Sequence, residues 1–252
     1  MRIDPVHLIV SLVLVSLLTA FEPAVAGETE KALRFYQSHF FMGPCQVTVT
    51  KDAVRLDNTG PLNFVMVSRA PSWRVTIFRD DDKSYFSESL ADFGETGLVS
   101  TITVPWKEKS VQPFGYRSTS YKFCGLNAVR MTKGWEVFKF LPLKDALNAA
   151  PEVEKLFYAI YKCPTNGGIP LCLTGINGGK DFMGSTSQAG ARLVYLDTSK
   201  VVELDVPSSI FAAPVGYKKA ASVREVVAGA QSRRQSKDLD EMFSADRDQL
   251  RK

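Results

Sequence analysis

The chain has two histidines: His7, inside an apolar leader, and His39, in the body of the sequence. Hydrolytic triads need a base next to the nucleophile, and that base is usually histidine. His39 stands beside Phe40 and Phe41, and no Ser or Cys carries a nucleophile-elbow pattern. Cys45 is close to it in sequence, but a Cys–His pair would need a free thiol in an oxidising space. His39 is therefore expected to be a solvent-exposed or satisfied histidine, not a base.

Two loops resemble ligand cradles. Asp80-Asp81-Asp82-Lys83-Ser84 begins like a calcium loop. Counting from Asp80, Tyr85 stands where such a loop needs Gly, and Ala91 where it needs a bidentate Glu. It is expected to be a hairpin turn. Gly175-Ile176-Asn177-Gly178-Gly179-Lys180-Asp181 is rich enough in glycine for a phosphate loop. Thr174 occupies the position of the first glycine, and Asp181 replaces the Ser or Thr that would hold magnesium. The carboxylates elsewhere are scattered over turns, so no glycosidase pair follows from spacing. No C-x-x-C is present, so no metal site and no cofactor are expected. The chain reads as a non-enzyme.

The leader is an address. Arg2 precedes an apolar run from Val6 to Phe21, and Ala24-Val25-Ala26 precedes Gly27. Residues 1–26 read as a secretory signal peptide, with the mature chain starting at Gly27. The run is shorter than the ~20 apolar residues of a membrane span, so no transmembrane anchor is expected after its removal. The location is periplasmic or extracellular. An exported chain with an even number of cysteines reads as a disulfide framework. Of three connectivities, Cys163–Cys172 with Cys45–Cys124 is the expected one, because the first pair flanks a short loop between a helix end and a strand. The net charge of +4 is mild and gives no case for nucleic acid.

What positions any site is a run of short strands. In Cys45–Phe86 apolar residues alternate: Val47, Val49, then Val54 and Leu56; Phe64 and Met66; Trp73, Val75 and Ile77. Period two is the mark of half-buried strands. Asp57–Pro61 and Arg69–Ser72 supply the turns. Helical spacing of Leu33, Tyr36 and Phe40 predicts a helix over 28–41. A second helix is expected from Ser87 to Phe93, and an irregular strand over 99–104. Strands follow at 119–123, 127–132 and 135–141, the last two joined by Lys133-Gly134. The stripe Val153, Leu156, Phe157, Ile160, Tyr161 predicts a helix within 144–162, kinked or restarted at Pro151. A strand at 169–174, a hairpin at 192–206 turning on Thr198-Ser199, and a helix at 222–228 close the domain. It spans residues 27–229; the mixed-charge tail, 230–252, reads as frayed or disordered.

The order of these segments, with Val47–Asn58 (VTVTKDAVRLDN), Phe64–Phe86 (FVMVSRAPSWRVTIFRDDDKSYF), Gly168–Gly175 (GIPLCLTG) and Phe211–Lys219 (FAAPVGYKK), resembles the periplasmic lipoprotein-carrier-like (Lol-type) superfamily. It is most similar to a bacterial branch whose last strand runs into Phe-x-x-Pro-x-Gly-Tyr, here Phe211 to Tyr217. The resemblance implies an α+β fold: a strongly curved antiparallel sheet, or unclosed β-barrel, with helices in or over its concave face. In the carriers that cavity holds acyl chains.

Phe64, Met66, Trp73, Trp135, Val137, Phe138 and Phe140 lie on strands that can share one sheet. On the first expectation Phe64, Met66, Trp73, Val75, Trp135 and Val137 form an apolar face that takes a lipid or a lipidated protein. On the second, the same residues are the packed core of an envelope interaction module without a ligand. A monomer is expected on either.

Overall fold

A computed structural model describes residues 28–98, 108–112, 114–176 and 192–227. The expected signal peptide, the C-terminal tail and the strand over 99–104 lie outside the described residues. The described strands are β1 (Thr29–His39), β2 (Gly43–Val49), β3 (Ala53–Asn58), β4 (Val65–Arg69), β5 (Val75–Arg79), β6 (Ser84–Glu88), β7 (Arg117–Phe123), β8 (Leu126–Lys133), β9 (Glu136–Pro142), β10 (Gly168–Ile176), β11 (Arg192–Pro207) and β12 (Lys218–Lys219). The helices α1 (Leu90–Thr96) and α2 (Pro151–Tyr161) and a 3-10 turn (Ser208–Phe211) accompany them, and residues 223–227 are helical within the expected 222–228.

All twelve strands belong to one sheet, in the order β12-β6-β5-β4-β3-β2-β1-β11-β10-β9-β8-β7. Its two ends do not pair, so the sheet is not closed into a barrel. Every pairing is antiparallel except β12 with β6. The right-hand strands curl back: Cys124, in the β7–β8 turn, receives the Val201 N–H of β11 on its sulfur at 3.4 Å.

The meander is where alternation predicted it. Register aligns Phe35, Val47, Leu56, Met66, Ile77 and Phe86 in one row across β1 to β6. Paired residues share a face, and five of these six are within 1% of complete burial. A second row, His39, Leu196, Leu173, Phe138 and Met131, continues this core face across β11, β10, β9 and β8. α2 lies on the core face, because its Tyr161 hydroxyl bonds Gln37 of β1.

Four expectations are corrected. Within residues 28–41, Thr29–His39 form strand β1, not a helix. The segment sits between β2 and β11, and two full ladders outweigh a weak helical stripe. Its positions buried on the core face, Leu33, Phe35, Gln37 and His39, have period two, Ala32 being buried on the other face, while Phe40 of the expected stripe is exposed. The hairpin at 192–206 is one long strand. Ser199 is an extra residue between the pairs Tyr36–Lys200 and Gln37–Thr198. The polar pair Thr198-Ser199 marks a β-bulge, not a turn. The helix expected from Ser87 starts at Leu90: Ser89 caps it by accepting the Asp92 N–H at 3.1 Å, and Gly97 ends it. No disulfide joins the cysteines, so Cys163–Cys172 and Cys45–Cys124 are both absent. Their sulfurs have other surroundings: Cys45 accepts from Asn58 Nδ2 at 3.4 Å, and Cys124 sits in the exposed β7–β8 turn.

Pro151 resolves the question of the second helix. It stands at N1 of α2, where its missing N–H costs nothing, and residues before it form turns. α1 and α2 meet closely at Gly97, whose φ is +62° and whose absent Cβ would lie 2.5 Å from the Ala159 carbonyl oxygen. Only glycine fits there. After β11 the Phe-x-x-Pro-x-Gly-Tyr segment crosses the opposite face. Phe211 packs with Ala32, Ala53 and Val206, and Arg55 and Arg69 donate to the carbonyls of Ile210 and Ser208. Tyr217 then meets Phe78 edge-on, and β12 extends the sheet beyond β6.

Candidate functional site

Where β1 ends, a buried polar knot forms under the β1–β2 turn. Tyr161 of α2 donates to Gln37 Oε1 at 2.6 Å; Gln37 Nε2 donates to Pro170 O and Thr198 Oγ1, both at 3.0 Å. The His39 ring stacks on Tyr161, centroids 5.3 Å apart. His39 Nδ1 accepts the N–H groups of Phe41 at 3.3 Å and Met42 at 3.4 Å. Burial drives the imidazole pKa down to about 4, because a charged ring would lose its water. At neutral pH His39 is therefore uncharged, with its Nδ1 lone pair holding the turn.

Cys45 does not pair with His39. Burial first, against an Asn58 hydrogen bond, pushes its thiol up to about 11. A nucleophile needs the opposite shift. Cys163, fully enclosed, is pushed up by burial as well. Lys162 is the left-handed C-cap of α2; it donates to Gly94 O and lies 5.8 Å from the Tyr158 ring centre. Burial lowers its pKa, with Glu95 opposing. It ties α2 to α1.

The acidic turn is internally occupied. Arg79 pairs with Asp81, Lys83 lies 3.8 Å from Asp80, and Asp82 accepts the Ser84 hydroxyl at 2.6 Å. No group of three His, Cys, Asp or Glu among the described residues could hold a metal. Of the glycine loop, Gly175 and Ile176 end β10 and the remainder lies outside the described residues.

The six residues expected to share a ligand face do not. Phe64, Met66 and Val75 are sealed in the core. Trp73 leaves the strand pattern; it sits in the β4–β5 turn with φ +49°, partly buried against that core. Val137 lies on the opposite face of the sheet, since its β10 partner is Thr174 while Phe138 faces Leu173. Trp135 stands in the β8–β9 turn, 68% exposed. The run Val137-Phe138-Lys139-Phe140 is apolar at both parities, so alternation could not choose the face.

What the expectation missed is a rim. Phe40, Phe41, Phe114, Trp135, Leu193 and Val194 are exposed. All stand at one end of the sheet, where β1, β8 and β10 finish and β7, β9 and β11 start. Contacts link neighbouring strands at this end. Phe40 meets the Tyr195 ring edge-on at 5.2 Å; Val194 pairs with Thr174, whose hydroxyl donates to Trp135 O at 3.3 Å. Lys133 Nζ then lies 5.4 Å from the Tyr116 ring centre, two residues beyond Phe114. One signal was available. Phe40-Phe41 immediately precedes Met42-Gly43-Pro44, and adjacent side chains at a strand end cannot both face one core.

No family model and no curated protein matches this chain. Among solved structures, PNGF-II, in its C2 crystal form, matches with 10% identity and a TM-score of 0.34, over 77% of this chain and 31% of that one. The chain thus spans about a third of that protein. No helix among the described residues is long and apolar enough to cross a membrane.

Proposed function

We propose that this chain is an exported, non-catalytic interaction module of the cell envelope, a half-barrel of the lipoprotein-carrier-like kind whose concavity is filled by its own helix. The observation that carries this reading is the burial of α2: Val153, Leu156, Phe157, Ile160 and Tyr161 are each at most 1% exposed. They occupy the space a lipid ligand would need. Non-catalysis is supported by the chemistry of the titratable groups, since the histidine is held neutral as a turn acceptor and the buried thiols are driven away from ionisation. Export is supported by the leader, Arg2 to Ala26. With the concavity occupied, function falls to the outside, and the exposed apolar rim is the surface that differs from an ordinary polar exterior.

Native mass spectrometry of the protein isolated from the envelope tests this. The mass of the chain from Gly27 alone is expected. A stoichiometric lipid adduct would overturn the packed-core reading, and recovery of Met1 in the exported fraction would overturn the leader.

A further inference from the structure

The rim poses a question that the core does not answer: what covers six exposed apolar side chains contributed by separate connections? We propose that the rim docks on the surface of an anionic lipid bilayer, with Phe40, Trp135 and Phe114 inserted among the headgroups and Lys133 and Arg117 paired to lipid phosphates. The inference rests on the reading that the molecule acts through this surface.

Three observations favour a bilayer over a protein groove-binder. First, the residues sit on turns and strand ends, so they form a row of protrusions. Protrusions suit a deformable surface, whereas a peptide partner would be held in a concave groove lined by such residues. Second, the composition is that of a membrane interface: three Phe and a Trp with aliphatic neighbours, and Lys and Arg set among them. Third, the charge is complementary. Lys133 and Arg117 are exposed at this end, and Arg117 pairs with Thr132 next to Lys133. Of the carboxylates near this end, Glu136 is engaged by the Tyr116 hydroxyl and Glu108 by the Gln112 amide, while Asp197 of β11 is exposed. Across the same end of the sheet, the acidic turn between β5 and β6 is separated from the rim by β4, β3 and β2. His39 fixes the arrangement, since it holds the turn that carries Phe40 and Phe41.

Flotation with vesicles tests the proposal, using the full chain as isolated from expressing cells. Vesicles of equimolar phosphatidylglycerol and phosphatidylcholine are compared with pure phosphatidylcholine. The protein is expected to float with the anionic vesicles. Lys133→Gln should weaken this about fivefold, since each basic residue near such a surface contributes about a fivefold factor. The double variant Phe40→Ser with Trp135→Ala should weaken it at least about tenfold, through lost apolar insertion. Val215→Ser, which removes an exposed apolar side chain on the connection to β12, should change nothing. Brominated lipid should quench fluorescence in wild type, and the quenching should be reduced in Trp135→Phe. Melting curves that match wild type show that each variant is folded; Trp135→Phe alone keeps the fluorescence arm decisive should the double variant melt early. No flotation, flotation indifferent to every rim variant, or a rim that cross-links only to another protein would each overturn the bilayer proposal. None of those outcomes bears on the packed core, which the mass of the isolated protein decides separately.

Discussion

Aromatic side chains occur in two settings in this molecule. Around α2, Phe35, Phe138, Phe157 and Tyr161 have at most 1% of their surface left in water. At the strand ends, Phe40, Phe114 and Trp135 keep between 44% and 90%. The residue types are alike and the strands are shared; β9 carries Phe138 in its body and follows directly on Trp135. The difference is position along the strand. In the body, the pleat aims alternate residues at α2, and the register across five strands lines them up. Past the last ladder pair Phe40, Phe114 and Trp135 keep much of their surface exposed, left to solvent or to another surface. Aromatic content alone therefore says nothing about where a binding surface is.

The largest expected effect breaks the buried set. Phe157→Ala should destabilise the fold by about 3–5 kcal/mol, because the side chain is fully enclosed and leaves a void. Urea denaturation with unchanged slope measures it. A cost below about 1 kcal/mol would mean that α2 covers an open cavity, and the contrast between core and rim would collapse.

The next test uses the residue that joins the two settings. His39 is stacked in the core yet holds the rim turn by its Nδ1. Its folded pKa is about 4 against an ordinary 6.5. The unfolded chain therefore takes up the proton first as pH falls. The stabilising contribution is complete above pH 6.5 and is lost on acidification through about pH 4. The loss should approach about 3 kcal/mol for a shift of this size. Melting temperature measured across that window should fall in wild type, with this component missing in His39→Gln.

How much of this was legible in advance depended on whether one pattern stood alone. From Val47 to Leu56 the apolar residues Val47, Val49, Val54 and Leu56 alternate, and turn residues bracket each run up to Ile77, so the meander was readable even though β4 is apolar at both parities. β1 offered two patterns at once, Leu33-Tyr36-Phe40 for a helix and Leu33-Phe35 for a strand, and only the partners on both sides decide. The bulge at Ser199 looks like a turn because Thr-Ser serves both; the difference is that Thr198 finds Gln37 far away in sequence. α2 was readable from its stripe and from Pro151. The candidate face was not, because Val137 and Phe138 are both apolar and the β10 register makes the choice. The cysteines looked like a framework by count, but bridging requires geometry that count does not contain.

Tyr161→Phe sharpens the comparison further. Removing the hydroxyl leaves Gln37 Oε1 without its donor in a site closed to water, while the ring and its stacking on His39 remain. The expected cost is about 1–2 kcal/mol. Gln37→Leu combined with Tyr161→Phe should recover part of it, since both ends of the bond are then apolar. If the single change were neutral, the polar knot would not be dry, and the rim turn above it would be looser than the packing indicates.

Trp135→Ala carries the smallest expected effect on stability and the most direct one for the rim. The Trp135 indole lies mostly in water, so its loss opens no void in the core. The contact that Trp135 makes with Thr174 uses its backbone carbonyl, which alanine retains. The Lys133-Gly134 turn, with Gly134 at φ +57°, is also untouched. Stability should therefore stay within about 0.5 kcal/mol of wild type, as expected for a surface change that removes neither packing nor a hydrogen bond. A tryptophan kept exposed at no cost to the fold contributes through what it meets outside the fold. Equilibrium unfolding of this variant, set beside that of Phe157→Ala, should show a difference of at least about 2.5 kcal/mol between the two. Equal losses would mean that Trp135 packs against the domain in solution, which would remove the exposed rim on which the bilayer proposal depends.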